Sequence, residues 1–157
     1  MRGKILLVIS LMMLCSCNQE RNDMKKSPGK ETVLKFVEAI NTANIDKLEN
    51  LMSDDHTFVD SGDGKYQGKE TMKKAWSIYF DMFPDYKIEI VDMTESGSII
   101  GVFGYASGTY KGLKNEMNSN YYRTPASWKA IVKDGKVKHW QVYCESKMAD
   151  EIVERNK

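Results

Sequence analysis

The sequence lacks an excess of basic residues, a large number of cysteines and a long apolar run, which are features of several common protein classes. Its 23 lysine and arginine residues stand against 22 aspartate and glutamate residues, which gives a formal net charge of +1. This near balance argues against nucleic-acid binding, because nucleic-acid-binding domains carry a basic patch or stripe. Three cysteines and two histidines are too few for a disulfide framework or a recognisable zinc module. No apolar run reaches the roughly 20 residues that a membrane-spanning helix needs.

What is present suits one packed domain. The chain has 157 residues, of which 41% are hydrophobic and 29% are charged. This length fits a single domain of ordinary size. The share of hydrophobic residues is enough to bury a core, so the chain as a whole is not expected to be disordered.

The first sixteen residues have the pattern of a secretory signal peptide. A short basic head with Arg2 and Lys4 precedes an apolar run over residues 5–14, which is too short to span a membrane and is typical of a signal core. The segment Leu14-Cys15-Ser16-Cys17 resembles a bacterial lipobox. The resemblance implies cleavage before Cys17, a diacylglyceryl group on its thiol and an acylated amino terminus. Several acyl chains together give durable anchoring. The alternative is ordinary signal cleavage that leaves Cys17 free.

Cleavage would leave a short tether and one folded domain. The signal peptide carries two bases and no acid, so the remaining chain has a net charge of −1. Residues 17–29 are polar and cannot bury a core, which predicts a flexible tether, and residues 30–157 form the predicted domain. The predicted location is the cell envelope on the extracytoplasmic side. Asn18 stands where an aspartate would resemble an inner-membrane retention signal, which favours the outer membrane. Cys144 is expected to be a buried small hydrophobe.

Helical periodicity comes first along the domain, and strand periodicity follows. The predicted helices cover residues 28–41, 45–52, 69–83 and 148–155, and the predicted strands cover residues 56–60, 86–95, 99–111, 124–133 and 136–146. The Asp134-Gly135 pair between the last two strands is a strong hairpin signal. Helices followed by consecutive strands indicate an α+β fold, with helices packed on one face of a sheet.

Several segments in this order carry a family resemblance. They are Phe36–Asn41 (FVEAIN), Asp55–Asp60 (DHTFVD), Gly68–Met72 (GKETM), Gly108–Gly112 (GTYKG) and Lys133–Val137 (KDGKV) with the following His139-Trp140 pair. Over roughly residues 33–146 the chain resembles the nuclear-transport-factor-2-like superfamily and, within it, the SnoaL-like group. The resemblance implies a cone-shaped barrel, in which a curved antiparallel sheet wraps around N-terminal helices and leaves a pocket. It also implies homodimers formed through the outer sheet face. Isomerases, cyclases and binding modules share this fold, so the fold does not decide the function.

Asp60 is the candidate general base. It ends a short strand before a glycine-rich loop, and its place matches the base aspartate of the resembling ketosteroid isomerases. Aromatic walls would desolvate such a carboxylate and raise its pKa toward useful base strength. His56 shares its strand face and is a candidate catalytic partner. The alternative is that Asp60 caps the turn around Gly62 and Gly64 through local backbone hydrogen bonds.

Other parts of the family's catalytic sites are absent. The isomerase tyrosine on the first helix corresponds to Phe36, which has no hydrogen-bond donor, and the isomerase aspartate falls near Ser127. The resembling cyclases place an acid after the last-strand tryptophan, where this chain has Gln141, which is not a proton acceptor near neutral pH. Glu145 is a possible substitute. Whether the protein is an enzyme therefore stays open.

Small-molecule pockets combine apolar walls with a few polar groups. The residues expected to line such a pocket here are Phe36, Trp76, Tyr79, Phe80, Tyr105, Trp128, His139, Gln141 and Tyr143. His56, Asp60 and His139 lack the local spacing of a zinc site, so neither a metal nor a cofactor is expected. The leading interpretation is a membrane-anchored lipoprotein whose domain binds a small, largely apolar molecule. The alternative is a cofactor-independent lyase, isomerase or cyclase that uses Asp60 as its base.

Overall fold

The structure, a computed structural model, describes residues 27–112 and 120–156. The predicted signal peptide, the predicted lipidation site at Cys17 and most of the predicted tether lie outside the described residues. Four helices and six strands occur in the part of the chain that is described.

The helices begin at capping residues that are evident in the sequence. The Ser27 hydroxyl accepts a hydrogen bond from the Lys30 amide at 3.0 Å, and Asn44 accepts one from the Lys47 amide at 2.9 Å. Each bond satisfies an amide that the first turn of a helix leaves unpaired. The helices are α1 (Pro28–Asn41), α2 (Ile45–Leu51), α3 (Lys69–Met82) and α4 (Lys147–Arg155). Within the described ranges, none of them is both long enough and apolar enough to cross a membrane.

Six strands form one sheet. They are β1 (Met52–Val59), β2 (Lys65–Gln67), β3 (Lys87–Ser96), β4 (Ile99–Thr109), β5 (Tyr121–Lys133) and β6 (Lys136–Cys144). Across the sheet the order is β2-β1-β6-β5-β4-β3. The expected α+β fold with a curved sheet is confirmed. The sheet is mixed, because β1 runs parallel to β6 while the other neighbouring pairs are antiparallel.

β1 begins earlier than its hydrophobic pattern predicts. The pattern predicts a strand over residues 56–60, whereas β1 starts at Met52. Met52 pairs with Val137 and Thr57 pairs with His139, so the register shifts between them. The polar residues 53–55 therefore form an irregular bulge, which adds length to one strand without adding hydrophobic alternation.

The two faces of the sheet differ because side chains alternate along each strand. The inner face packs against α1 and α3 and carries the buried residues Val102, Ala126, Trp128, Ala130 and Trp140. Helix α1 contributes Val33, Phe36, Val37 and Ile40 to the same core. The opposite, outer face carries partly exposed and exposed side chains along β3, β4, β5 and β6.

The topology brings six strand ends to one edge of the sheet, which is called the upper edge below. β1, β4 and β6 end at this edge, and β2, β3 and β5 begin there. Helix α3 reaches the same edge, since the Lys111 amide just past β4 donates to the Met82 carbonyl at 2.8 Å. Helix α4 follows β6. The residue after the helix, Asn156, donates a hydrogen bond to Asn120, beside the start of β5, at 3.1 Å. Helix α4 therefore crosses the upper edge from β6 to the base of the β4–β5 connection.

Candidate functional site

Three tyrosines from different elements meet near the upper edge. Tyr79 lies in the last turns of α3, Tyr86 precedes β3, and Tyr122 lies on the inner face of β5. The hydroxyls of Tyr79 and Tyr122 are 3.1 Å apart. The Tyr86 ring packs edge-on against Tyr79 with ring centroids 4.9 Å apart. Phe83 contacts Tyr79 at 5.0 Å and Tyr122 at 5.6 Å. Tyr79, Tyr86 and Tyr122 are called the tyrosine cluster below.

The phenols of the tyrosine cluster are neutral hydrogen-bonding groups. Burial raises the pKa of Tyr122 from 10.0 to about 12, and it raises the pKa of Tyr79 and of Tyr86 well above the ordinary value. Desolvation has this effect because it disfavours the phenolate. The bond between Tyr79 and Tyr122 uses one hydroxyl proton, so the pair retains a second proton that it can donate to another group.

Cys144, the last residue of β6, lies beside the tyrosine cluster. Burial raises the pKa of its thiol, and a hydrogen bond with Ser61 partly opposes that effect. Asp150 of α4 is close enough to raise the same pKa further. The thiol is therefore protonated at neutral pH and is a poor nucleophile. Cys144 is only partly buried, although its surroundings are those expected for a small hydrophobe.

Large aromatic side chains fill the interior between the helices and the inner face. Trp76 stacks on Phe80 with ring centroids 5.3 Å apart, and Trp128 stacks on Trp140 at 6.3 Å. Phe36 packs against Trp140 at 5.1 Å. None of the five is more than 8% exposed. The expected lining residues Phe36, Trp76, Phe80 and Trp128 thus lie in the interior, where they form much of the core.

Three polar atoms in this apolar interior have no hydrogen-bond partner among the described residues. They are Nε1 of Trp76, Nε1 of Trp128 and Nε2 of His56. His56 is fully buried, and its Nδ1 atom lies 2.7 Å from the Val137 carbonyl oxygen. The ring must donate through Nδ1 there, so Nε2 is an acceptor in the neutral imidazole. Buried polar groups are nearly always paired in folded proteins, which makes these atoms candidates for contact with a ligand.

Asp60 is held by its own loop. Its Oδ1 atom accepts hydrogen bonds from the Gly62 amide at 2.9 Å and the Gly64 amide at 2.8 Å. Its Oδ2 atom lies 3.5 Å from the Tyr66 hydroxyl. Of the two alternatives drawn from the sequence, this geometry matches the turn cap. Within residues 27–112 and 120–156 the Oδ2 atom has only this one long contact, and the role of Asp60 as a general base stays a prediction.

Four residues expected to line the pocket lie on the outer face of the sheet. They are Tyr105, His139, Gln141 and Tyr143. Tyr143 pairs with Ser127 and Gln141 pairs with Lys129, whereas the inward-facing Trp128 pairs with Val142. Residues that pair across strands share a face. The expectation that these four side chains line the interior is therefore wrong, because each is one residue out of phase with the inward positions.

The His56, Asp60 and His139 side chains do not meet at one place where they could bind a metal together. His56 is buried on the inner face, His139 lies on the outer face and Asp60 is bound to its own loop. Within the described ranges, no group of three histidine, cysteine, aspartate or glutamate residues is arranged to hold a metal ion.

The outer face carries a partly exposed aromatic patch. Phe103 is 44% exposed and Tyr143 is 50% exposed, and both pair with Ser127 from opposite sides. The Arg123 guanidinium lies 3.5 Å above the centroid of the Tyr105 ring and forms an ion pair with Glu89 at 2.9 Å. Phe103, Tyr105 and Tyr143 are called the outer aromatic patch below.

A polar cleft of about 400 Å³ lies at the opposite edge of the sheet, beside the bulge in β1. Ion pairs line it, with Lys69 and Asp54 2.6 Å apart and Lys138 and Asp55 2.7 Å apart. Charged walls of both signs do not suit an apolar ligand. The upper edge, and not this cleft, therefore carries the features that match the expected ligand.

Sequence reasoning missed Tyr86, Tyr122 and Cys144 as neighbours of Tyr79. Tyr122 lies before residue 124, where the predicted strand begins, so its inward orientation was not part of the prediction. Tyr86 is the first residue of the predicted strand over residues 86–95, and the prediction did not say which face of that strand turns inward. A β5 strand extended to Tyr121 by the alternation of buried residues would have placed Tyr122 on the same face as Trp128.

The architecture and the sequence together define the class of protein. A curved sheet of six strands packed on helices is the nuclear-transport-factor-2-like arrangement. Residues 33–140 match the family model of the SnoaL-like domain, and the chain belongs to that family. No curated protein matches the chain.

Solved structures share the fold at low sequence identity. A proposed SnoaL-like polyketide cyclase from Shewanella putrefaciens is 14% identical with a TM-score of 0.70, covering 94% of this chain and 99% of that protein. An LEH-like epoxide hydrolase from M. tuberculosis is 13% identical with a TM-score of 0.67, covering 82% of this chain and 91% of that protein. TerC, crystallised with polyporic acid, is 18% identical with a TM-score of 0.69, covering 82% and 99%. These likenesses show the fold alone.

Proposed function

We propose that this SnoaL-like domain binds a small, largely apolar molecule in the interior of its cone, at the tyrosine cluster. The observation that carries the proposal is the combination of apolar walls with neutral donors. The Tyr79–Tyr122 pair, 3.1 Å between hydroxyls, has a proton to donate, and the indole N–H groups of Trp76 and Trp128 have no partner among the described residues. Such an environment suits an uncharged ligand that presents an acceptor atom.

Catalysis is the second candidate, and one observation supports it. Among the described residues, the Asp60 Oδ2 atom has a single contact, at 3.5 Å, which leaves this oxygen open to a substrate. Against catalysis stands the double engagement of Oδ1 by the Gly62 and Gly64 amides. Phe36 also supplies no donor where the resembling isomerases have a tyrosine. Binding without chemistry therefore accounts for more of the site than catalysis does.

The binding proposal is tested with N-phenyl-1-naphthylamine, a neutral apolar fluorophore, and with native mass spectrometry of the purified chain for co-purified molecules. We expect fluorescence enhancement with saturable binding, and weaker binding in Tyr122→Phe, which removes a donor while it keeps the ring. Tyr121→Phe, at an exposed position on the other face of β5, is the matched control. Absence of probe binding together with absence of any co-purified molecule would refute the proposal. Asp60→Asn separates the two candidates, because a binding module keeps its affinity while an enzyme loses turnover of any co-purified compound.

We propose further that the mature protein is a lipoprotein of the cell envelope, anchored through Cys17. The lipobox-like Leu14-Cys15-Ser16-Cys17 segment and the short apolar run before it support this. Expression in a bacterial host with labelled palmitate should label the chain and place it in the membrane fraction. Cys17→Ser should abolish both, and Cys15→Ser should abolish neither. A Cys17→Ser protein that still carries palmitate would contradict the anchor.

A homodimer through the outer face is the proposed assembly. The outer aromatic patch supports it, because exposed aromatic side chains on a sheet face favour burial against a partner. Sedimentation should give twice the monomer mass, and Phe103→Lys should shift the protein toward monomer. A monomeric wild-type protein at high micromolar concentration would exclude this assembly.

A further inference from the structure

We propose that α4 is a hinged lid over the upper edge and that a ligand reaches the tyrosine cluster when this lid opens. This inference rests on the proposed ligand site. It adds the route by which a ligand enters and the residues that control entry.

The position of α4 is the first observation. The helix begins three residues after β6 ends at Cys144 and finishes at Arg155, beside the base of the β4–β5 connection. Nine residues of α-helix span about 14 Å, which is enough to cross the ends of β6, β5 and β4 at the spacing of strands in a sheet. Asp150, in its first turn, is close to Cys144, which neighbours the tyrosine cluster.

The attachment of α4 to the rest of the domain is narrow. Of its nine residues only Ile152 is buried, at 3% exposure, with Ala149 and Val153 partly buried against the core. Glu145 and Ser146 join the helix to β6. Their side chains bond within that junction, since Ser146 donates to Asp150 at 2.7 Å and Glu145 accepts from the Lys147 amide at 3.0 Å. These side-chain bonds would travel with the helix. The junction also has one long contact to β5, in which the Thr124 hydroxyl donates to the Glu145 carbonyl at 3.4 Å.

The far end of α4 is held at Asn120, whose Oδ1 atom accepts hydrogen bonds from the Asn156 side chain and, at 3.4 Å, from the Arg155 guanidinium. The shorter contact, between Asn156 and Asn120, is called the latch below. The Asn156 side-chain amide donates to Asn120 Oδ1 at 3.1 Å and to the Ile152 carbonyl at 2.8 Å. The Asn156 Oδ1 atom is buried without a partner among the described residues. A buried acceptor that is left unpaired makes the closed position less favourable than a fully bonded one. The hydrogen bond of the latch positions the helix, and the unpaired Oδ1 atom of Asn156 lowers the free energy needed to open it.

Gly112 leaves room for the Asn156 side chain of the latch because it has no side chain of its own. A Cβ atom at this position would overlap the Asn156 side chain. Gly112→Ala should therefore push Asn156 out of its place without changing the apolar contact of Ile152. Asn156→Ala removes the hydrogen bond directly. Lys111→Ala, at the exposed neighbouring position, is the matched control.

Native-state hydrogen exchange of the full chain tests whether α4 opens by itself. We expect the α4 amides to exchange with weak dependence on urea, while the α1 and β5 amides exchange only with the steep dependence of global unfolding. Loss of one latch hydrogen bond should accelerate α4 exchange on the order of fivefold in Asn156→Ala and in Gly112→Ala, and Lys111→Ala should match the wild type. Exchange of α4 with the same urea slope as α1 in the wild type and in both variants would overturn the lid.

Stopped-flow binding of N-phenyl-1-naphthylamine tests whether the opening controls entry. The association rate should rise in the two latch variants by about the factor seen in exchange, and it should stay unchanged in Lys111→Ala. An association rate that is the same in wild type and latch variants overturns the lid and leaves the proposed binding function intact. Absence of probe binding to every variant, together with absence of any co-purified molecule, overturns the proposed function and the entry route with it. Should Gly112→Ala fail to fold, Asn156→Ala carries the same comparison.

Discussion

Replacement of Asp60 separates a structural carboxylate from a catalytic one. Asp60→Ala removes two hydrogen bonds to backbone amides, from Gly62 at 2.9 Å and Gly64 at 2.8 Å. Each such bond contributes about 0.5–1.5 kcal/mol net, so the free energy of unfolding should fall by about 1–3 kcal/mol. For a domain of this size, that change lowers Tm by roughly 2–4 °C per kcal/mol. Asp60→Asn keeps one side-chain oxygen as an acceptor, so it should lose less than about 1 kcal/mol.

The assay is urea unfolding followed by circular dichroism and tryptophan fluorescence, with Asp81→Ala as control. Asp81 is an exposed acid on α3, and its removal should change the free energy of unfolding by no more than about 0.5 kcal/mol. If Asp60→Ala is as stable as Asp81→Ala, the amide bonds do not stabilise the loop and the turn-cap interpretation fails. If Asp60→Asn folds normally but abolishes turnover of a co-purified compound, the enzyme alternative gains over binding.

Three further substitutions probe the scaffold of the site. Asn41 exchanges two hydrogen bonds with Ile88 at the edge of β3, at 2.9 and 2.7 Å, so Asn41→Ala should cost about 1–3 kcal/mol in urea unfolding, and an unchanged midpoint would contradict this. Burial lowers the pKa of His56, so below its unfolded pKa of about 6.5 the unfolded state binds a proton that the folded state resists. Lowering the pH from 7 to 5 should therefore reduce the urea midpoint more in wild type than in His56→Phe. Equal reductions would refute the lowered pKa of His56. A Cβ at Gly104 would overlap the Glu89 carbonyl oxygen, so Gly104→Ala should prevent β3–β4 pairing and yield little folded protein by circular dichroism, and a native spectrum would show that the strands can shift.

The sequence predicted local structure well where caps and periodicity agree. Helix α1 runs from Pro28 to Asn41 as its Ser27 cap and apolar spacing indicate. Helix α3 stops within one residue of its predicted end, because Pro84 disfavours helix in the residue before it. The start of β1 could not be predicted, since the bulge over residues 53–55 breaks the alternation from which strands are recognised. β2, with three exposed residues, is too short to show any periodicity.

Face assignment was the weaker step. His139, Gln141 and Tyr143 were expected to line the pocket, and alternate residues of a strand share a face, as these three do in β6. Alternation does not say which of the two faces turns inward, since each carries aromatic side chains. Trp140, 1% exposed, supplies the answer, because burial of that residue sends both of its neighbours outward. The tyrosine cluster was out of reach for a different reason: its members come from α3, the α3–β3 connection and β5, and only the tertiary fold joins them.

The two proposed contacts therefore lie on opposite faces of the sheet: ligand binding on the inner face and homodimer formation on the outer face. The inner face buries phenol and indole donors among apolar rings, and burial raises the pKa of the phenols so that they stay uncharged. Asp60, the candidate base, directly follows β1 at the upper edge, with one oxygen committed to the Gly62 and Gly64 amides. Neutral donors can hold and orient a molecule, but moving a proton from carbon needs a base, for which Asp60 Oδ2 and His56 Nε2 are the candidates. Binding is for that reason the simpler function of the inner face. The outer aromatic patch faces away from it and is free to serve assembly without altering the ligand site.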